Sequence, residues 1–229
     1  YLSQEKYKGT EVRYMSHSLS TKPGSNLSRL IIHQGMAAFA DNRSGNGGEM
    51  EGMYNFQYGW LYNWRLYGGR LRVTAGATAD ATAGFLYNTH GSNNPAQARL
   101  NINITPTASA AYTLRWNNTP LTISYELAMP LAGMMFSPNY GQSYYEIFSR
   151  GNYDHNIVPT YFGNAPSMRN MLTIDISLGS NALRIGYLGD IRQAKPNSLK
   201  QHKYTHAFLI GFIRTIKTVK VKAGNFTQK

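Results

Sequence analysis

Between Tyr54 and Trp64 every second residue is an aromatic ring: Tyr54, Phe56, Tyr58, Trp60, Tyr62 and Trp64 hold the even positions. The odd positions between and before them carry Glu51, Met53, Asn55, Gln57, Gly59, Leu61 and Asn63. A period of two sustained over this length belongs to a β-strand, whose successive side chains leave opposite faces of the pleat. One face is a ladder of rings and the other is mostly polar, so the fold must give each its own solvent.

The same period recurs along the chain. Leu71, Val73, five alternating alanines, Phe85 and Tyr87 oppose Arg72, Thr74, Thr78, Asp80 and Thr82. Leu100, Ile102, Ile104, Tyr112 and Leu114 oppose Arg99, Asn101, Asn103 and Arg115, and Leu121, Ile123 and Tyr125 oppose Glu126. Leu172, Ile174 and Ile176 oppose Asp175, and Leu183, Ile185 and Tyr187 oppose Arg184. Tyr204–Ile213 closes the series, and Thr10–Ser20 and Leu27–Asp41 open it. In the Leu27 strand Gln34 shares a face with Leu30, Ile32 and Met36, a lapse that a β-bulge would reset.

Nine strands result, and their connections alternate in length. Residues 21–26, 66–69, 117–119 and 179–181 are short turns; 42–48, 90–96, 136–167 and 195–203 are longer. Short turns at one end and long loops at the other is the layout of an outer-membrane barrel. Such barrels have even strand counts. The expectation is therefore an all-β, antiparallel up-and-down transmembrane barrel of about ten strands, with Tyr1 and Leu2 ending a first strand that lies mostly upstream. Residues 1–216 form this single domain and 217–229 a basic tail.

Which face meets which solvent decides location. The ring ladder is too bulky for the interior of a small barrel packed at crystal-like density. The opposite face carries ionised groups deep within strands, and lipid would penalise a basic one at the midplane by about 2–4 kcal/mol. Aromatic residues also gather near strand ends (Trp64, Phe85, Tyr112, Trp116), where interfacial girdles lie. Rings outward into lipid and charges inward follow from these three points.

Composition agrees where it bears on this. Charged residues are 15% of the chain, below the quarter usual for soluble domains. There is no cysteine, hence no disulfide framework, and no apolar run long enough for a membrane-spanning helix. The net charge of +12 is scattered apart from Arg214–Lys222, which argues for basic residues in turns and interior rather than for nucleic-acid binding.

The segments HQGMAAFADNRSGNGGEMEGMYNFQYGW, FLYNTHGSNNPAQARLNINI, FSPNYGQSYYEIFSRGNYDHNIVPTYFGNAPSMRNMLTID and YLGDIRQAKPNSL resemble an uncharacterised family of Bacteroidota outer-membrane proteins. That family is catalogued only as a domain of unknown function. The resemblance covers about Tyr7 to Phe212 and implies an outer-membrane location. It brings no activity and no site residues.

Candidate chemistry is sparse. His90 and Ser92, two residues apart at a strand end with Asn101 and Asn103 following, have the spacing of an outer-membrane lipid hydrolase. That chemistry needs the imidazole within hydrogen-bond reach of the hydroxyl and a third group fixing its tautomer. The Gly/Asn/Pro setting of Ser92 is also that of an ordinary loop. Asp154–His155 is one acid–base neighbour pair without further acids. The six histidines show no metal spacing, and no cofactor motif is present.

The long segment 136–167 is the better candidate. It carries Tyr140, Tyr144, Tyr145, Phe148, Tyr153, Tyr161 and Phe162 with Arg150, Asp154 and His155, and SYYEIF reads as a helical turn or two. A loop of this length and aromaticity is a lid or an interaction surface, since Tyr and Arg are favoured interface anchors. Inside the barrel, Arg72, Asp80, Arg99, Glu126, Asp175 and Arg184 are expected to form a paired network. The expected function is non-enzymatic: an interaction subunit of a larger outer-membrane assembly, contacting lipid, lipopolysaccharide and other outer-membrane proteins. A lipid hydrolase using His90 and Ser92, or a narrow channel, are the alternatives.

Overall fold

A computed structural model describes residues 6–89, 95–117, 119–139 and 141–216. Within them one antiparallel sheet is built from β1 (Tyr7–Thr21), β2 (Leu27–Asn42), β3 (Gly48–Leu66), β4 (Leu71–Asn88), β5 (Ala96–Trp116) and β6 (Thr119–Ala128). It continues with β7 (Ala132–Phe136), β8 (Ile157–Tyr161), β9 (Met168–Leu178), β10 (Asn181–Ala194) and β11 (Gln201–Arg214). A single short α-helix, α1 (Tyr144–Phe148), lies between β7 and β8. The sheet curls into a nearly closed barrel.

The eleven segments make nine staves. Thr107–Trp116 of β5 pairs with β6 and Asn101–Ile104 pairs with β7. Between them the amides of Met129 and Leu131 bond to the carbonyls of Pro106 and Ile104. Pro130, which has no N–H, sits at the interruption. On the next stave β8 pairs with β7 and β9 with β6. Part of the segment 136–167, read from sequence as loop throughout, is therefore wall. Ile157–Tyr161 is only five residues long with Pro159 at its centre, too short for a visible alternation. Proline is tolerated because, among the described residues, this strand is bonded on one side only.

The facing follows the alternation. Tyr54 and Trp60 are 49% and 51% exposed, whereas Asn55 and Gln57 between them are 4% exposed. Across the β3–β4 pair Tyr54, Phe56, Tyr58, Trp60 and Tyr62 stand opposite Ala83, Ala81, Ala79, Ala77 and Ala75. The small methyls leave lateral room for the rings, and this is why β4 is rich in alanine on that face.

In β2 no bulge intervenes: the register to β3 runs unbroken from Leu27↔Tyr62 to Asp41↔Gly48. Ser28, Leu30, Ile32, Gln34 and Met36 all face inward and are all buried. The interior thus contains an apolar cluster of Leu30, Ile32 and Leu61 with Met15 against it. Gln34 needs no reset of phase, because its amide oxygen accepts from Arg169 Nη1 at 3.5 Å. Gly59, also inward-facing, marks a close backbone approach, since a Cβ there would fall 2.1 Å from the carbonyl oxygen of Ala77.

Candidate functional site

The interior is held by charge pairs contributed from distant strands. Arg13 on β1 bridges Glu11 at 2.6 Å and Asp190 on β10 at 2.7 Å, and Arg192 shares Asp190 at 3.0 Å. Lys203 on β11 bridges Glu11 at 3.0 Å and Glu51 on β3 at 2.6 Å, while Thr205 donates its hydroxyl to Glu11 at 3.1 Å. Both Arg13 and Asp190 keep only 5% of their side-chain exposure. Buried charges of this kind persist only when paired and hydrogen-bonded. The two β1 residues join both β10 and β11, so the cluster ties the first stave to the last two.

The charges read from the sequence are distributed as follows. Asp175 takes a two-point bond from Arg184, Nε at 2.6 Å and Nη2 at 2.8 Å. Glu126 pairs with Arg169 at 3.3 Å. Asp80 is buried but receives amides and hydroxyls rather than a cation: Asn55 at 2.8 Å, Gln57 at 3.3 Å and Thr105 at 3.4 Å. Arg99 donates to Gln201. Arg72 is exposed at the short-turn end, opposite Arg65, and takes part in none of these pairs. The central cluster of Glu11, Arg13, Glu51, Asp190, Arg192 and Lys203 was missed by sequence reasoning. Its one signal was that Glu11, Arg13, Asp190 and Arg192 sit on inward phases, which says nothing about partners.

At the long-loop end the segment after β7 folds back over the mouth. Ser143 caps α1 by accepting from the amide of Glu146 at 3.2 Å, and Glu146 accepts in return from the amide of Ser143 at 2.7 Å. The bonds this carboxylate accepts, first from the Ser143 amide and then from the Ser143 hydroxyl at 3.0 Å, hold it below its usual range. Ile147 is fully buried beneath the helix. Phe136, Tyr144 and Phe148 gather with ring centroids 6.1–6.2 Å apart. The Tyr144 hydroxyl accepts from the amide of Ala98 on β5 at 2.7 Å, anchoring the helix to the wall.

Amide side chains complete the lid. Gln142 donates to the Asn152 carbonyl at 2.9 Å and accepts from Asn156 at 2.7 Å. Asn197, between β10 and β11, reaches across to the carbonyls of Ser137 at 3.1 Å and His155 at 3.0 Å. The cavity beneath, lined by Arg99, Phe136, Tyr144, Leu199 and Gln201, is about 100 Å³.

The outer surface of the same segment is apolar. Tyr145, Phe148, Tyr153, Tyr161 and Phe162 are exposed, with the Arg150 guanidinium 5.6 Å from the centre of the Tyr145 ring. Asp154 and His155 form an exposed pair at 2.5 Å. Among the described residues no three His, Asp or Glu side chains come together as a metal-ligand set. His90, Ser92 and Tyr140 lie outside the described residues, as does the tail 217–229. The site therefore divides into an inner face that packs on the barrel and an outer face of rings open to solvent.

None of the curated proteins and none of the solved structures matches the chain. A family described as protein of unknown function matches residues 1–223.

Proposed function

Because the chain belongs to that family, DUF3316, its own surfaces must supply the reading, and we propose that it is an integral outer-membrane β-barrel acting through its long loop. In this reading it is not an enzyme but a docking subunit of a larger outer-membrane assembly. The observation that carries the reading is the facing of the staves. Tyr54, Trp60, Ile102, Tyr125, Ile174 and Phe208 look outward from five strands, while the ion pairs look inward. An apolar surface spread over so many strands has no counterpart on a soluble monomer, whose largest patch is a few hundred Å².

The polar atoms on that outward face support the same reading. His33 bonds the Tyr54 hydroxyl at 2.7 Å and His206 bonds the Tyr187 hydroxyl at 2.5 Å. In hydrocarbon such groups have no water to turn to, so internal partners are what a lipid-facing polar residue needs. Floating the refolded protein with lipid vesicles, followed by a carbonate wash that strips peripheral proteins, tests the location. Recovery in the wash would reject it.

Docking rather than conduction is favoured by the filled interior. Ile32, Gln34, Thr78, Thr105 and Thr173 come from four different strands and are all fully buried. The ring-bearing outer face of the lid is then the surface left for a partner, one that offers apolar pockets to Tyr145, Phe148 and Tyr153. Purification in mild detergent should bring down a second outer-membrane protein, and the triple change Tyr145→Ser, Phe148→Ser, Tyr153→Ser should release it. A protein recovered alone under every mild condition would overturn the docking role while leaving the membrane location standing.

A further inference from the structure

Deep in the barrel the cations are neutralised one by one: Arg13, Arg169, Arg184, Arg192 and Lys203 each lie within 3.3 Å of a carboxylate oxygen. At the short-turn end this stops. Arg65 on β3 and Arg72 on β4 continue the inward phases of Asn63 and Thr74, which are buried, and stand directly opposite one another. The carbonyl of Arg70, in the turn between those strands, accepts from the amide of Thr113 on β5 at 2.8 Å, and Arg115 follows Thr113 by two positions. Four arginines thus gather at one side of the mouth, all of them exposed. Among the described residues none of the four makes an ion pair.

That arrangement is unfavourable on its own. Like charges directly opposite one another destabilise a sheet, and a surface kept soluble by charge ordinarily intersperses both signs. Here the wall supplies no acid. Asp175, the carboxylate on β9 toward this end, already takes both Arg184 bonds, at 2.6 and 2.8 Å. The neutral groups one layer further in satisfy each other: Asn63 donates to Ser28 at 2.7 Å, Thr74 bonds Ser109 at 2.6 Å and Thr113 bonds Thr122 at 3.0 Å. Residues 217–229, which follow β11 at the same end, contain no Asp or Glu in their sequence.

Space lies across from the arginines. In the sheet order β9–β11 face β3–β5 over the lumen, and at the short-turn end they border an open hollow of about 520 Å³. Ser177, Ala182 and Ile213 on inward phases line it, with Ser180 and Asn181 from the turn. The lining is uncharged, and the volume is that of a small-molecule site. A guanidinium presents its N–H groups as a fork that matches two oxygens of a phosphate. A phosphate monoester has three terminal oxygens and nearly two charges at neutral pH, more than one carboxylate offers to share among four arginines.

We infer that the short-turn mouth is a phosphate site: Arg65, Arg70, Arg72 and Arg115 receive a phosphate monoester, and the hollow beside β9–β11 takes the uncharged remainder of the molecule. A soluble phosphorylated compound and a lipid headgroup at the rim share this chemistry. Isothermal titration of the full chain in a neutral detergent separates them, with glycerol 3-phosphate as the soluble probe and dihexanoyl phosphatidic acid as the lipid probe. Glycerol and dihexanoylglycerol, which lack the phosphate, are the controls. Arg65→Gln and Arg72→Gln should each weaken binding about tenfold, the worth of one charge-assisted hydrogen bond. Their melting temperatures should stay level or rise slightly, because a repulsive pair is broken. Arg29→Gln, on the outward face near the same end, should leave binding as it was.

Saturable binding of glycerol 3-phosphate with these effects assigns the site to a soluble ligand, and binding of the lipid probe alone assigns it to a headgroup; either supports the site. Binding of neither probe, equal binding of the controls, binding that Arg65→Gln and Arg72→Gln leave intact, or an equal loss in Arg29→Gln would overturn it. The titration needs no bilayer, so a failure of the membrane reading would be seen separately, in the vesicle experiment.

Discussion

The guanidinium of Arg13 lies 2.7 Å from the carboxylate of Asp190, 177 positions along the chain and on the far side of the barrel seam. Asp190 also takes Arg192 at 3.0 Å, and Arg13 also takes Glu11 at 2.6 Å. Together with the contacts of Glu11 to Lys203 and Thr205, this links β1 to β10 and β11 through side chains, where the other neighbouring staves are joined by backbone bonds.

Breaking that contact from one side should be costly. Arg13→Met leaves Asp190 with Arg192 and Glu11 with Lys203 as their remaining cations, so the loss should fall somewhat below the ~3–5 kcal/mol of a buried charge left with no partner. Adding Asp190→Leu should cost less than the two single changes summed, with a coupling of about 0.5–3 kcal/mol. Urea unfolding of the four proteins in one detergent measures it. Simple additivity would show that the two groups do not act as a pair.

A cation on the outward face should report depth. Phe56 stands at the middle of β3 and Trp64 near its end. In a bilayer Phe56→Arg is expected to destabilise by about 2–4 kcal/mol and Trp64→Arg by about 1 kcal/mol or less. Unfolding from lipid vesicles gives both numbers. Equal costs at the two positions would contradict the lipid-facing reading.

Tyr144→Phe removes the acceptor of the Ala98 amide and frees the helix from the wall. The lid should loosen by about 1 kcal/mol, the usual net worth of one hydrogen bond. Chymotrypsin should then cut at Tyr145 or Phe148 several times faster, while the melting temperature of the barrel stays where it was. A matching drop in that temperature would mean the helix is part of the cooperative barrel and not a separate lid.

The cap on the same helix should respond to acid. Bonds from the Ser143 amide and hydroxyl hold the Glu146 carboxyl below its usual value in the folded lid. A depressed carboxyl stabilises the fold above its unfolded pKa and loses that contribution as pH falls through the folded one. The turn should therefore be intact at neutral pH and fray in the acid range, below the ordinary glutamate value. Glu146→Gln should abolish the pH dependence of exchange at the Glu146 and Ile147 amides; an unchanged profile would assign it to another group.

A planar bilayer carrying the protein should stay electrically silent at moderate voltage, because the mid-section is filled by Ile32, Gln34, Thr78, Thr105 and Thr173. Steady unitary currents would favour the channel alternative instead.

Much of this fold could be read from the chain because alternation is a local property. Tyr54 to Trp64 could face only one way as a group, and the polar set between them only the other. The nine staves and their short and long connections followed from the same pattern. What resisted was whatever interrupts it. Ile157–Tyr161 is too short to show a period, and Gln34 looked out of phase only because Leu30 and Ile32 were assumed to shun the interior. In the lid, the anchoring role of Tyr144 could not be told from the exposed role of Tyr145, since one hydrogen bond to Ala98 separates them.

The sequence by itself determined the class of structure, the facing of the staves with a clean alternation (β2, whose inward face is apolar, apart) and the aromatic character of the long segment, since each depends on residues two apart or on composition. Only the tertiary structure decided who pairs with whom inside. The partner of an inward charge depends on register summed over many strands, so the pairing of Arg13 with Asp190, and of Lys203 with Glu11 and Glu51, exists only once the sheet has curled round on itself.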